Sequence, residues 1–320
     1  MRRWSVFVTA AGLSLGACKP VQETDLPICK SEVVGTEAQE VVAGEIPPDI
    51  WFLIVLRNYN RATWEVSRPV HDCSGRPIEQ PPSETFASCL VPSKAMPLPA
   101  RPLTPDDLML VPLDDGTQLV WVKTTYFENG EAMGPIAVAE MSVRGVLIRK
   151  LGTMRAQANK ASMRVEKVGG TDVVVVEARE CDVDEPERCR RVLKILPVVG
   201  ESFEERPLVS QGGECLGEPV FELYREQDVE LPNGKVRHFK MSRSVEFDDG
   251  NALVTEQINI EDTDPKQPEA PPQVFRNANV QRPLTLSSQG WVTKIGLWDK
   301  MLEEHGSVRV ADEPGKPRRD

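Results

Sequence analysis

Outside any recognisable motif, Arg243 and Glu256 are the pair of side chains with the clearest chemical potential. Around them the chain reads FKMSRSVEF, then DDGN, then ALVTEQINI. If Phe247 pairs with Ala252 across DDGN, the register of an antiparallel hairpin is set. Val245 then opposes Val254, Met241 opposes Ile258 and Phe239 opposes Ile260, all on one side by the period of two. Arg243 and Glu256 fall opposite each other in the middle of that apolar stripe. His238/Glu261, Lys240/Asn259, Ser242/Gln257 and Ser244/Thr255 form a polar opposite face. A slip of one residue would reverse both faces, so the clean segregation supports this register. An ion pair on a core face is costly to desolvate. It reads in one of two ways: a ligand-facing spot with a glutamate as acid or base beside an arginine, or a structural pair that specifies register.

Nothing else in the chain resembles a catalytic motif. There is no G-x-S-x-G, S-x-x-K, H-E-x-x-H or phosphate-binding loop. The three histidines are His71, His238 and His305, of which His238 falls on the polar face and His305 at the end of an expected helix. A Ser-His-Asp triad has little to draw on. DVDEPE and EDTDPKQ lack the glycine and terminal glutamate of a calcium loop and read as solvated turns. No cofactor is expected.

The most specific stretch is the start. Arg2 and Arg3 precede an apolar run from Trp4 to Leu15, too short to cross a bilayer as a stable helix, and small residues lead into Cys18. This is the layout of a secretory signal. Leu15-Gly16-Ala17-Cys18 resembles the lipobox of the bacterial lipoprotein class. That resemblance implies thioether diacylation of Cys18, cleavage before it and acylation of the new amino group. Two or more acyl chains make a firm membrane anchor. Lys19 after the cysteine resembles the pattern of lipoproteins sent to the outer membrane.

With Cys18 lipidated, six of the seven cysteines remain, an even number in an exported chain. Three disulfides are therefore expected. Short loops close most easily, which favours Cys181–Cys189 and Cys73–Cys89 and leaves Cys29–Cys215. Zinc is not expected, since there is no C-x-x-C and only His71 lies nearby.

The formal charge is −11, and losing Arg2 and Arg3 with the signal makes it more negative still. With no basic run, nucleic acid is not an expected partner, and adsorption to anionic lipid is disfavoured. The expected partners are the membrane, through the lipid, and another protein of the envelope.

These residues need a frame. Residues 1–17 form the signal and 18–47 a polar tether. Residues 48–104 hold an apolar run from Ile50 to Leu56, read as a buried strand with ATWEVSRPV as its partner. Nine prolines between Pro69 and Pro105 keep that stretch out of long regular elements. The main body spans 105–305. Turns at Asp115-Gly116, Asn129-Gly130, Gly169-Gly170 and Asn233-Gly234 each join two strand-like runs. No constant-period repeat points to a propeller. Trp291, Ile295, Trp298 and Leu302 lie on one face of a helix closing on Gly306, although GWVTKI also reads as a last strand. Residues 306–320 form a tail.

The expected fold is mainly β, an antiparallel meander or sandwich of hairpins with a short C-terminal helix. The leading functional expectation is a lipid-anchored, non-enzymatic binding or structural component of the envelope. A carrier of lipid or apolar ligand in a curved sheet, and a hydrolase with dispersed carboxylates, are the alternatives.

Overall fold

The computed structural model describes residues 26–31, 46–78, 89–90, 94–142, 145–181, 189–248 and 250–306. The signal, Cys18, most of the tether, DVDEPE and the tail lie outside the described residues.

The described chain starts with β1 (Cys29–Ser31) and α1 (Pro48–Val55). The run from Ile50 is thus a helix and not the expected strand. Pro47-Pro48 and Asp49 explain why: proline is pre-set for the first helical turn and an acidic residue suits its positive end. A short continuous apolar run suits a buried strand and a buried helix alike, so periodicity alone does not separate the two. Ile50, Trp51, Phe52, Ile54 and Val55 are all buried. The residues read as its partner strand make only a small ribbon of β2 (Tyr59–Asn60) and β3 (Glu65–Val66).

The main body opens with β4 (Leu108–Pro112), β5 (Gln118–Val122), β6 (Thr125–Tyr126), β7 (Glu131–Ser142) and β8 (Gly145–Gln157). It continues through β9 (Ser162–Val168), β10 (Thr171–Cys181), β11 (Cys189–Val199) and β12 (Ser202–Phe203). They form one sheet in the order β4-β5-β7-β8-β12-β11-β10-β9, curled until β4 approaches β9 in a nearly closed, barrel-like form. The expected glycine turns join β4 to β5, β6 to β7 and β9 to β10.

Alternation along these strands fills the interior with Leu119, Trp121, Ile136, Met154, Val174 and Phe203, all buried in one cluster. Gly134 lets β7 approach the end of β5, because a Cβ there would lie 1.7 Å from the Val122 carbonyl oxygen. The outward side chains Val120, Val122, Ala137 and Ile148 of the same strands pack under α1.

Three short strands follow: β13 (Leu208–Val209), β14 (Cys215–Gly217) and β15 (Val220–Glu222). Then come the long β16 (Tyr224–Glu230), β17 (Val236–Asp248), β18 (Asn251–Thr263) and β19 (Gln273–Ser287), with β20 (Gly290–Val292) last. A second sheet runs β14-β13-β20-β19-β18-β17-β16, and β15 joins the first sheet on β11. The β17–β18 register pairs Phe247 with Ala252, Arg243 with Glu256 and Phe239 with Ile260, as the alternation requires. Val245, Val254, Leu284 and Trp291 press this sheet onto Val173, Val175, Leu193 and Ile195, on the outside of the barrel. The result is a mainly β sandwich of hairpins in which one layer is itself curled.

Where the second sheet projects beyond the barrel, α2 (Leu297–Gly306) covers it. Trp298 and Met301 bury themselves on Phe239, Met241, Ile258 and Ile260. The expected four-residue stripe is only half realised. Trp291 belongs to β20, pairing with Leu286, and Ile295 is exposed. Among the described residues no helix is long and apolar enough to cross a membrane.

Three disulfides close the fold. Cys181–Cys189 clips the β10–β11 hairpin. The other two are Cys29–Cys73 and Cys89–Cys215, in place of the expected Cys73–Cys89 and Cys29–Cys215. Loop length is overridden by packing. β1 is held along β8, against which the α1 layer containing Cys73 also packs, while Cys89 sits under β13 beside the Leu208 carbonyl. The proline-rich stretch is therefore not closed on itself: Cys73 ties it to β1 and Cys89 ties it to β14.

Peptide mapping without reduction should recover these three pairs. The Cys89→Ser/Cys215→Ser double variant, opening a separation of 126 residues, should lose about 2–5 kcal/mol of unfolding free energy in denaturant titrations.

Candidate functional site

The apolar stripe of the second sheet is interrupted by Glu256, fully buried at 0% exposure. Cross-strand pairing puts Arg243 opposite it on β17, and β19 supplies Arg282, which the sequence reading missed. Both guanidinium groups reach Oε1: Arg243 Nε at 2.7 Å and Arg282 Nη2 at 2.6 Å. The other oxygen, Oε2, accepts the Leu297 amide at 2.7 Å, so Glu256 also caps the start of α2. Arg243 donates further to the Glu222 carbonyl and Arg282 to the Lys294 carbonyl.

Burial alone would push the Glu256 carboxyl up. Arg243, the Leu297 amide and Arg282 outweigh it, and the carboxyl sits below the usual carboxylate range. Oε1 thus ties two strands together and Oε2 ties them to the helix. The cluster positions structure and leaves no open face for a substrate. Arg282 left a faint signal: it is an inward-facing charge in QVFRNANVQRPLTLS.

A second buried carboxylate was also missed. Asp107, at 0% exposure, is gripped by both terminal nitrogens of Arg101 at 2.7 and 2.8 Å, by the Tyr126 hydroxyl at 2.6 Å and by the Thr104 amide at 2.7 Å. Burial opposes the charge, but Arg101 and Tyr126 hold the carboxyl low; burial and the contact with Asp107 raise the Tyr126 phenol, with Arg101 opposing them. It too is saturated.

The histidines are dispersed. His238 bridges Asp228 and Thr263 at 2.7 Å each, and His305 meets Arg276 at 2.9 Å. Among the described residues no three His, Cys, Asp or Glu side chains are grouped to hold a metal ion.

One place is different. The barrel is closed between β8 and β11 only by the two residues of β12, at one end. Towards the other end the seam opens into a cavity of about 380 Å³. Ala156 of β8, Val176 and Ala178 of β10, Val192 of β11, and Leu216 and Val220 from the β14–β15 segment make its apolar walls. Its polar groups come from all sides. Lys194, buried on β11, is ion-paired to Glu205 at 2.6 Å. Glu131 pairs with Arg155 at 2.7 Å, and that guanidinium lies 3.6 Å over the Phe127 ring. Arg190 bridges Glu180 at 2.7 Å and Glu222 at 2.5 Å.

Two groups are left over. Gln157 is 9% exposed, and its amide nitrogen donates to the Asn129 carbonyl at 3.1 Å while its Oε1 has no partner. Glu218 forms no side-chain hydrogen bond or ion pair among the described residues. Burial pushes its carboxyl above the usual range, with Glu205 and Glu131 adding to the effect and Lys194 and Arg155 opposing it.

In sequence, Lys194 was visible as a charge inside VLKILPVV, but nothing local connects it with Glu218. A cavity of this size, with apolar walls and a few convergent polar groups, has the character of a small-ligand site. No protein-family description matches the chain, and no curated protein or solved structure is significantly similar to it.

The two glutamates should respond oppositely to pH. Glu256 has a lowered folded value, so its stabilisation is present above the unfolded value of about 4.3 and is lost as pH falls through the folded one. Glu256→Leu should cost about 3–5 kcal/mol at pH 7 by stranding two buried arginines. Glu218 has a raised folded value, so it costs stability above that value and nothing below about pH 4. Glu218→Gln should therefore raise the denaturation midpoint at pH 7, with the gain vanishing towards pH 4.

Proposed function

We propose that this chain is an exported protein of the bacterial cell envelope. It is anchored to the outer membrane through acylated Cys18 and acts by binding a small solute rather than by catalysing a reaction. The seam cavity carries this reading. Three disulfides fit an oxidising compartment, and the lipobox resemblance supplies the anchor.

The alternatives have less support. A carrier of apolar ligand needs an empty apolar interior, whereas Trp121, Ile136, Met154 and Phe203 occupy the barrel. A two-carboxylate hydrolase needs a second carboxyl free to act. In the cavity Glu131, Glu180 and Glu222 are each engaged by arginine, which leaves Glu218 alone.

Cell fractionation should place the native chain in the outer membrane and a Cys18→Ala form elsewhere; native chain recovered free of membranes would sink the anchoring reading. Cross-linking in intact cells should enrich any envelope partner only with the anchored form. For binding, a panel of cationic, neutral and anionic small molecules is scanned by thermal shift. At least one saturable shift, abolished by Ala178→Phe, is expected, and silence from the whole panel overturns solute binding.

A further inference from the structure

The strand order of the second sheet gives β14 and β16 as its edges. A third edge is hidden within it. β20 pairs with β19 only at Thr285, Leu286 and Ser287. Over residues 276–283, β19 therefore has β18 on one side and no strand on the other. Trp291 and Thr293 of the β20 segment donate their amides to the Pro207 and Val209 carbonyls. The even residues of β20 thus turn to β19, which makes Thr285–Val292 and Ser287–Gly290 the hydrogen-bonded pairs. By alternation Asn277, Asn279, Gln281 and Pro283 direct their backbone groups to the open side, and all four are exposed. Pro283 sits where a missing N–H breaks no ladder bond. Among the described residues no turn or loop supplies a backbone hydrogen bond to Asn277, Asn279 or Gln281.

An open edge is a template for another strand, and charge along it is the common way to blunt it. β16 is blunted by Arg225, Glu226, Asp228 and Glu230. β19 is not: from Asn277 to Gln281 it reads NANVQ, without a charge. Its amide side chains lie on the open face of the sheet, and half-buried Ala278 and Val280 lie on the core face. Arg276, just before them, hydrogen-bonds His305 Nε2 at 2.9 Å and has no carboxylate partner among the described residues. A second copy does not fit this edge. Antiparallel pairing of two β19 strands would drive the β20-β13-β14 flank of each copy into the 264–272 connection of the other. A single extended segment meets no such obstacle.

We propose that β19 captures an extended segment of a partner protein as an added antiparallel strand, bonded to the backbone of Asn277, Asn279 and Gln281 and carrying an acidic side chain opposite Arg276. Both existing neighbours of β19 run antiparallel to it. Strand addition draws its affinity from ladder hydrogen bonds and its specificity from alternate side chains. The period of two then dictates the partner's chemistry. Polar residues face Asn277, Asn279 and Gln281, and small apolar residues face Ala278 and Val280. The carboxylate falls at the C-terminal end of the segment, where it makes the charge-assisted bond that Arg276 otherwise lacks. This edge shares no residue with the seam cavity, so either can fail without the other.

The test uses the detergent-solubilised full chain and a fluorescent peptide, Thr-Val-Thr-Val-Thr-Glu, followed by anisotropy. Its threonines oppose Gln281, Asn279 and Asn277 in turn, and its glutamate opposes Arg276. Saturable binding is expected, weakened at least tenfold when the second and third threonines are N-methylated, which blocks the ladder facing β19. Asn279→Pro deletes one outward N–H without touching the β18 ladder, and it should weaken the peptide tenfold. Arg276→Glu should weaken it tenfold as well, and should bind a peptide ending in lysine as tightly as the native chain binds the glutamate one. That charge exchange serves alone if Asn279→Pro does not fold. An absence of saturable binding overturns the assignment, as does binding indifferent to N-methylation or to the charge exchange. Dimerisation of the chain that Asn279→Pro abolishes would give the edge to a second copy, and it too overturns the assignment.

Discussion

Four consecutive valines set the terms for the rest of the molecule. Val173, Val174, Val175 and Val176 of β10 are each 0–2% exposed, which a strand achieves only when both of its faces are covered. Val174 and Val176 point into the barrel, and Val173 and Val175 point out, under the second sheet. Full burial of a valine is worth roughly 1.5–3 kcal/mol, an upper figure because the unfolded chain is not fully extended. Closing the first sheet satisfies one pair, and stacking the second sheet satisfies the other.

The second sheet is longer than the barrel face it covers, and the overhang creates the next requirement. Its projecting apolar face needs α2, and α2 needs a fixed starting point. Glu256 supplies that point by accepting the Leu297 amide while two arginines neutralise it. Such a cluster adds little net stability compared with an apolar replacement, but it is intolerant of losing one member. Its value lies in locking β17, β18, β19 and the incoming helix into one arrangement. The disulfides do similar work elsewhere, tying β1 to the α1 layer and the proline-rich stretch to β14.

The seam cavity is the counterpart of this tight packing. Between β8 and β11 the barrel is bridged by β12 alone, and β15 lies along β11 without reaching β8. Ladder hydrogen bonds and alternation cease to apply there, and charged side chains occupy the opening in pairs. Among the described lining residues, Gln157 Oε1 and the Glu218 carboxyl stay outside those pairs.

The sequence by itself determined what depends on neighbours along the chain. Glycine dipeptides set the hairpins, and alternation set the β17–β18 register down to the Arg243–Glu256 pair, because turn geometry and side-chain period are local properties. The Cys181–Cys189 pairing is of the same kind, joining residues that face each other across one hairpin. The start of the helix Pro48–Val55 is local too, set by Pro47-Pro48 and Asp49, although its apolar pattern alone does not show it. The tertiary fold settled the rest. The pairing of Cys29, Cys73, Cys89 and Cys215 depended on which layers met. Arg282 joined Glu256 from a third strand, and Glu218 came to lie near Lys194 and Glu131 only when the barrel closed imperfectly. Contacts between residues distant in sequence are selected by the burial of whole faces, and no short stretch of the chain encodes that choice.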